Sequence, residues 1–185
     1  MKTVFSLGSN TGDSFAHLRD AVGLIADTPG IDDVVVSPVY LTTPVGGVEQ
    51  DDFLNIVVVA TAELPPSVLL ERARVIEEAH GRQRTIPNGP RTLDVDLIAV
   101  GDETISTDDL TLPHPRAHER AFVLVPWSDV DPEAELPGYG RIADLLAAFD
   151  ADELAGAVKP YPRQIDVPGV TVARGWDERN DEEDV

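Results

Sequence analysis

Apolar residues along this chain keep two rhythms, and the rhythms mark out the elements. Thr3 to Leu7 is a short apolar run that predicts a strand, followed by the turn and cap residues Gly8-Ser9-Asn10-Thr11-Gly12-Asp13. Phe15, Leu18, Val22 and Ile25 then fall three and four apart, one stripe on a helix that Pro29-Gly30 closes. Val34 to Tyr40 and Phe53 to Ala62 are β-branched runs and predict two strands. From Ser67 to His80 the stripe Leu69, Ala73, Ile76 and Ala79 predicts a second helix, opened after Pro65-Pro66 and closed at Gly81. Leu93 to Val100 and Ala121 to Val125 predict two more strands, with Pro113-His114-Pro115-Arg116 irregular between them. Ile142 to Phe149 predicts a short final helix.

The order β-α-β-β-α-β is that of an α+β, ferredoxin-like sandwich, in which helices cover one face of a mainly antiparallel sheet. Two connections are long for such a fold. Thr42 to Asp52 is polar and glycine-rich, and Arg82 to Arg91 carries cations; both predict mobile loops. Beyond about Tyr161 the periodicity stops, and the last nine residues hold six acids against one arginine. The expected organisation is one domain over 1–160, with extra C-terminal elements, and an acidic, partly disordered tail over 161–185.

At 185 residues the chain is long enough to bury a core unaided, and it has no cysteine, so disulfides, thiolate zinc sites and a cysteine nucleophile are excluded. The apolar run before Gly8 is too short for a secretory signal and no stretch reaches membrane-spanning length, so a cytoplasmic location is the expectation. A net charge of −20 opposes nucleic acid and anionic membrane as partners. One region departs from that average. Arg72, Arg74, Arg82, Arg84, Arg91, Arg116 and Arg120 are half of the fourteen cations, and Ala79 to Arg91 holds three arginines and no acid. Singly, such arginines pair with helix carboxylates; as a group, they suit a bound polyanion, since guanidinium grips phosphate oxygens as a fork.

Within Leu93-Asp94-Val95-Asp96-Leu97, strand geometry places Asp94 and Asp96 on one face, roughly 6.6 Å apart at Cα, and the three apolar residues on the other. Two carboxylates with phosphate oxygens and water make the octahedral environment Mg²⁺ prefers, although the same alternation describes any solvent-facing strand of an acidic protein. Acids for metal and arginines for oxygens are the parts phosphoryl transfer needs. A P-loop is excluded because no Gly-Lys-Ser/Thr occurs. His114 is either an ordinary loop histidine or a donor to phosphate, held between two prolines. Zinc at His114 and His118 is rejected, since Pro115 spoils helical spacing and no third ligand is present.

Leu7-Gly8-Ser9-Asn10, Phe53-x-Asn55, Gly81-Arg82-x-Arg84, Gly89-Pro90-Arg91-Thr92-Leu93-Asp94-x-Asp96 and Leu112-Pro113-His114-Pro115-Arg116 with Arg120-x-Phe122 resemble the 6-hydroxymethyl-7,8-dihydropterin pyrophosphokinase family of folate biosynthesis. The blocks agree in order and spacing from Thr3 to about Pro132. The resemblance implies transfer of the β,γ-diphosphate of ATP to the hydroxymethyl group of a reduced pterin, with release of AMP. It implies two Mg²⁺ ions on Asp94 and Asp96, and Arg82 and Arg91 steadying the triphosphate. Glu77, Arg84, Leu97, Thr111, His114 and Arg120 match positions that contact ATP. For the pterin, Asn55 reads the hydrogen-bonding edge, Phe53 and Phe122 sandwich the ring, and Thr42 and Val45 complete the pocket. The loops Pro44 to Asp52 and Arg82 to Arg91 are expected to close over the substrates. Three departures stand out: Asn88 where many relatives have tryptophan, Pro115 where some have tyrosine, and Asp109 where some have a cation.

Two other classes compete. A glycosyltransferase also uses D-x-D to hold a metal against a nucleotide, but its larger α/β domain strains this length. A ferredoxin-like RNA-binding module stacks bases on sheet aromatics, against which stand the net charge and the paired aspartates. The expected working form is a monomer that takes ATP and a reduced pterin, with no nucleic-acid or membrane partner.

Overall fold

The computed structural model describes residues 1–82 and 87–174. β1 (Lys2–Ser9) leads into α1 (Ser14–Ala26), whose first turn is capped by the Asp13 carboxylate, which accepts the Ala16 N–H at 3.1 Å. The predicted stripe of α1 is buried as expected. A single strand was expected from Val34 to Tyr40; instead β2 (Ile31–Val36) and β3 (Tyr40–Thr42) flank a break at Ser37-Pro38-Val39. Pro38 has no N–H for a ladder, and Ser37 ties the break to β4, donating its N–H to the Val57 carbonyl and accepting the Val57 N–H on Oγ, both at 2.9 Å. Both pieces pair with the same long strand, β4 (Phe53–Ala62). α2 (Pro66–Ala79) starts at a proline, as the first helical position favours, and Gly81 ends it with φ +70°. Ala79, expected in its buried stripe, is exposed; the buried fourth member is Glu77.

β5 (Asp94–Val100) completes the sheet core. Strand order across the centre is β3-β4-β1-β5, with β2 beside β3 on β4, and every one of these pairings is antiparallel. This is the ferredoxin-like order, with α1 and α2 on one face over Phe5, Leu7, Ile56, Val58, Val95 and Leu97.

The opposite face is covered as well, and it corrects one expectation: Ala121 to Val125 is not a strand but the start of α3 (Ala121–Val130). The β-branched run reads as strand locally, yet Val123, Leu124 and Trp127 are spaced one, three and four apart and form a helix face that packs on Val4, Val57, Val59 and Ile98. Tertiary burial outweighs the local preference. Two short ladders flank α3 in the chain, β6 (Ile105–Ser106) with β7 (Thr111–Leu112) before it and β8 (Glu135–Leu136) with β9 (Gly140–Arg141) after it. α4 (Ile142–Ala147) is shorter than predicted, and α5 (Ala151–Ala157) was not predicted at all, having no buried residue and so no stripe.

Residues 161–174, grouped by composition with the acidic tail, are packed. After β10 (Val158–Pro160) lines the outer edge of β3, Tyr161 lies 6.4 Å from the Phe15 ring and Ile165 is fully buried. β11 (Thr171–Val172) then pairs parallel with β2. The acidic end at 175–185 lies outside the described residues.

Candidate active site

α3 covers only one end of its sheet face, and the side chains there change character along each strand. β1 runs Val4, Ser6, Gly8; β4 runs back from Val59 through Val57 and Asn55 to Phe53; β5 runs from Ile98 through Asp96 to Asp94. Where the helix stops and the residues turn polar, a cleft of about 480 Å³ opens, a size that suits small-molecule ligands. Register aligns a row across four strands, Asp94, Gly8, Asn55 and Tyr40, of which the first three form the cleft floor. Asp94 and Asn55 are therefore two strand spacings apart, about 10 Å. Gly8 lies between them, and a Cβ there would stand 2.6 Å from Asn55 Nδ2.

One side of the cleft is ionic. Arg82 Nη1 donates to Asp94 Oδ1 and to the Leu93 carbonyl, the latter at 3.1 Å, while Arg91 Nη1 donates to Asp94 Oδ2 at 2.8 Å. Burial alone raises a carboxyl pKa, but the two guanidinium groups outweigh it and hold Asp94 below the usual carboxylate range. Among the described residues Asp96 is ion-paired with Arg120, at 3.6 Å; burial first, then the Asp94 charge, push its pKa up to about 7. Beneath them Glu77, only 5% exposed, accepts the Val95 N–H at 2.8 Å and lies 3.5 Å from Arg82. Burial holds its carboxyl above the ordinary value in spite of both contacts. His114 is fixed by its own N–H, which donates to the Ile98 carbonyl at 2.8 Å. Its Nδ1 accepts the Arg116 N–H at 3.2 Å, which leaves Nε2 to carry the hydrogen, and burial, then Arg120, bring its pKa down to about 4. His114 is thus a neutral donor.

The other side suits a flat heterocycle. Asn55 is buried, with Oδ1 accepting the Thr42 hydroxyl at 2.5 Å and Nδ2 donating to the Leu7 carbonyl at 3.3 Å. The amide is thereby fixed in orientation, as selective hydrogen bonding requires. Phe53 and Phe122 both face the cleft, each with a guanidinium near its ring: Arg91 at 5.3 Å and Arg120 at 5.5 Å. The aromatic and ionic sides therefore share their arginines.

Asn10 links the two loops. Its Oδ1 accepts the Arg91 N–H at 2.9 Å, and its Nδ2 donates to Gln50 Oε1 and to the Asp51 carbonyl, both at 2.9 Å. Gln50 Nε2 in turn donates to the Asn88 carbonyl at 2.8 Å. Loop 43–52 is thus already tied to the segment 87–91.

Residues 4–132 match the family of 7,8-dihydro-6-hydroxymethylpterin-pyrophosphokinase. This chain belongs to that family. The relative from Mycobacterium tuberculosis, named 2-amino-4-hydroxy-6-hydroxymethyldihydropteridine pyrophosphokinase, is 47% identical over 164 residues, 80% of this chain and 84% of its own length. A relative of the same name from Bacillus subtilis is 42% identical over 130 residues, 70% of this chain and 78% of its own. Among solved structures, a Plasmodium falciparum HPPK-DHPS triple mutant superposes with a TM-score of 0.69 at 14% identity, over 86% of this chain and 46% of that one. The wild-type HPPK-DHPS protein gives 0.66 at 15% identity, over 86% and 47%. This chain spans just under half of those longer proteins, and at such identities the likeness concerns the fold.

In this member of the pyrophosphokinase family the cleft brings together Thr42, Val45, Phe53, Asn55, Arg82, Arg91, Asp94, Asp96, His114, Arg120 and Phe122, eleven of the positions expected from sequence. Glu77 lies under the floor and reaches the site through Arg82. The Leu97 side chain points into the core over α1 and α2, and Thr111 is exposed on β7 away from the cleft. Arg84 lies outside the described residues. Asn88, at φ +57°, lines the cleft and packs against Gly46, whereas Pro115 and Asp109 are exposed. Asn10 and Gln50 were missed as site residues because each is polar and in a turn, and only the tertiary fold shows them bonded across 40 positions. No helix among the described residues is long and apolar enough to cross a membrane.

Proposed function

We propose that this chain transfers the β,γ-diphosphate of ATP to the hydroxymethyl group of 6-hydroxymethyl-7,8-dihydropterin, releasing AMP, as a step of folate biosynthesis. The observation that carries the reading is the row Asp94, Gly8, Asn55, in which a fixed amide reader and a carboxylate-arginine cluster face one cleft with a side-chain-free gap between them. Family membership removes the sugar-nucleotide and RNA-binding alternatives.

Asp94 and Asp96 fit a hydrated magnesium ion. They supply hard oxygens from alternate positions of one strand, and burial leaves Asp96 short of compensating positive charge. Two carboxylates would leave the ion's other positions to water and phosphate. Two Mg²⁺ ions are the expected complement; bound there, they would draw charge from the triphosphate oxygens as it develops. Arg82 and Arg91 present guanidinium groups at the same corner, suited to the equatorial oxygens of the transferring group. His114 offers an uncharged Nε2–H to a phosphate oxygen, and Arg120 closes that wall.

On the acceptor side Phe53 and Phe122 hold the ring while Asn55 reads its edge, Thr42 keeping the amide in place and Val45 covering from the loop. The acceptor oxygen bonds to the β-phosphorus as the bond from that phosphorus to the α,β-bridging oxygen breaks. AMP leaves with the bridging oxygen, and the hydroxyl proton is shed. Loop 43–52 and the segment 87–91, tied together over the cleft, would keep water, the competing acceptor, out. We place this activity in a cytoplasmic monomer, with residues 1–160 as the catalytic unit.

The test is a product assay on the full chain with ATP, Mg²⁺ and the dihydropterin. One AMP and one pterin diphosphate per turnover are expected. Release of ADP, or turnover of sugar nucleotides in place of ATP, overturns the reading.

A further inference from the structure

Resting on that reading, we propose that Tyr40 and Asp129 form a positioning pair that holds the ring-reading edge of the cleft in place against Phe122, and so sets affinity for the pterin but not for the nucleotide. The Tyr40 hydroxyl donates to Asp129 Oδ2 across 89 positions of sequence. Both residues are buried, at 6% and 3% exposure, and neither lines the cleft.

Tyr40 is the last member of the row Asp94, Gly8, Asn55, Tyr40, and it stands directly beside Asn55 on β3. Two residues on, Thr42 donates to the Asn55 amide. β3 has only three residues, and its outer neighbour β10 has three as well, so ladder bonds restrain it weakly. Asp129 lies on α3, seven residues after Phe122, two helical turns along the same face. The bond therefore completes a chain of contacts: Asn55 to Thr42, along β3 to Tyr40, across to Asp129, and along α3 to Phe122.

Packing alone would be served by an apolar pair, since a buried carboxylate is costly to accommodate. A directed hydrogen bond adds a fixed position, as a buried polar network does when its members are satisfied. Of the groups facing the triphosphate, Arg82, Arg91, Asp94, Asp96 and His114 come from β5 and from loops outside this chain of contacts, while Arg120, at the start of α3, adjoins it 5.5 Å from the Phe122 ring.

The decisive variant is the double substitution Tyr40→Phe with Asp129→Leu in the full chain, which removes both members of the pair at once. We expect the KM for 6-hydroxymethyl-7,8-dihydropterin to rise about tenfold, the loss typical of one well-placed hydrogen bond, with kcat within about twofold. Calorimetry should give an unchanged Kd for α,β-methylene ATP with Mg²⁺, and an unchanged melting temperature. Asp129→Asn alone, which keeps an acceptor oxygen for the phenol, should stay within about threefold of the parent KM. A parent-like KM in the double variant, a parallel loss of nucleotide affinity, or loss of the fold overturns the pair. Absence of AMP release from the parent chain with this pterin would instead defeat the activity on which the pair rests.

Discussion

Substituting alanine for Gly8 is the sharpest probe of how the floor of the cleft works. The new Cβ would lie 2.6 Å from Asn55 Nδ2, about 0.8 Å inside ordinary contact, and 3.6 Å from Phe53 Cδ1, which is ordinary contact. The phenylalanine need not move, but the amide must. Asn55 has little room, being bonded to Thr42 at 2.5 Å and to the Leu7 carbonyl at 3.3 Å. A shift of that size breaks the longer bond and tilts the face that reads the pterin. Loss of one or two hydrogen bonds from a buried amide costs about 2 kcal/mol, or roughly 30-fold in pterin KM. The fold should survive, because Gly8 lies within a strand and has no positive φ, and alanine restricts the unfolded chain more than glycine does. Steady-state AMP release at saturating ATP, with the pterin varied, measures the first effect, and a thermal melt the second. An Asn55→Ala background supplies the control: if Gly8 acts through the amide, Gly8→Ala should cost almost nothing more there. A parent-like KM, or an equal loss in both backgrounds, would refute the reasoning.

Asp96→Ala should abolish turnover while far-UV circular dichroism stays unchanged, because the opposite face of β5 keeps Val95 and Leu97 in the core; full activity would defeat the metal assignment. For Arg82→Ala the expected outcome is a fall of about 100-fold in kcat with little change in pterin affinity, measured by parallel kinetics and calorimetry; equal losses in both would count against a triphosphate role. His114 should titrate near pH 4 by NMR. Its folded pKa lies below the unfolded one, so between about 6.5 and 4 only the unfolded chain takes up the proton. Stability should therefore fall as pH drops through that window, by less in His114→Gln; an ordinary midpoint near 6.5 would show that the ring is not enclosed.

What could be read from residues alone follows the range of the interactions involved. The alternation around Asp94 and Asp96 is a two-residue property of any strand, so it placed both carboxylates on the cleft side and Val95 and Leu97 in the core. The stripe of α1 was equally plain. Ala121 to Val125 failed because Val123 and Val125 favour strand locally, and only the uncovered sheet face beneath them makes a helix the better burial. Residues 161–174 were passed over for composition, although Ile165 and Tyr161 complete the packing on α1. Tyr40 with Asp129 and Asn10 with Gln50 are partnerships between distant segments, for which no local pattern exists.

β1, β4 and β5 each carry the hydrophobic interior on one side and the cleft floor at the end of the other. An inhibitor that mimics the pterin would press on Gly8 and Asn55, where a substitution weakens the hold on the substrate as well as on the drug. Escape is then confined to positions such as Val45, 55% exposed on its loop, where a changed side chain leaves the interior untouched. Compounds that take their affinity from the strands and avoid the loops would leave the fewest routes to resistance.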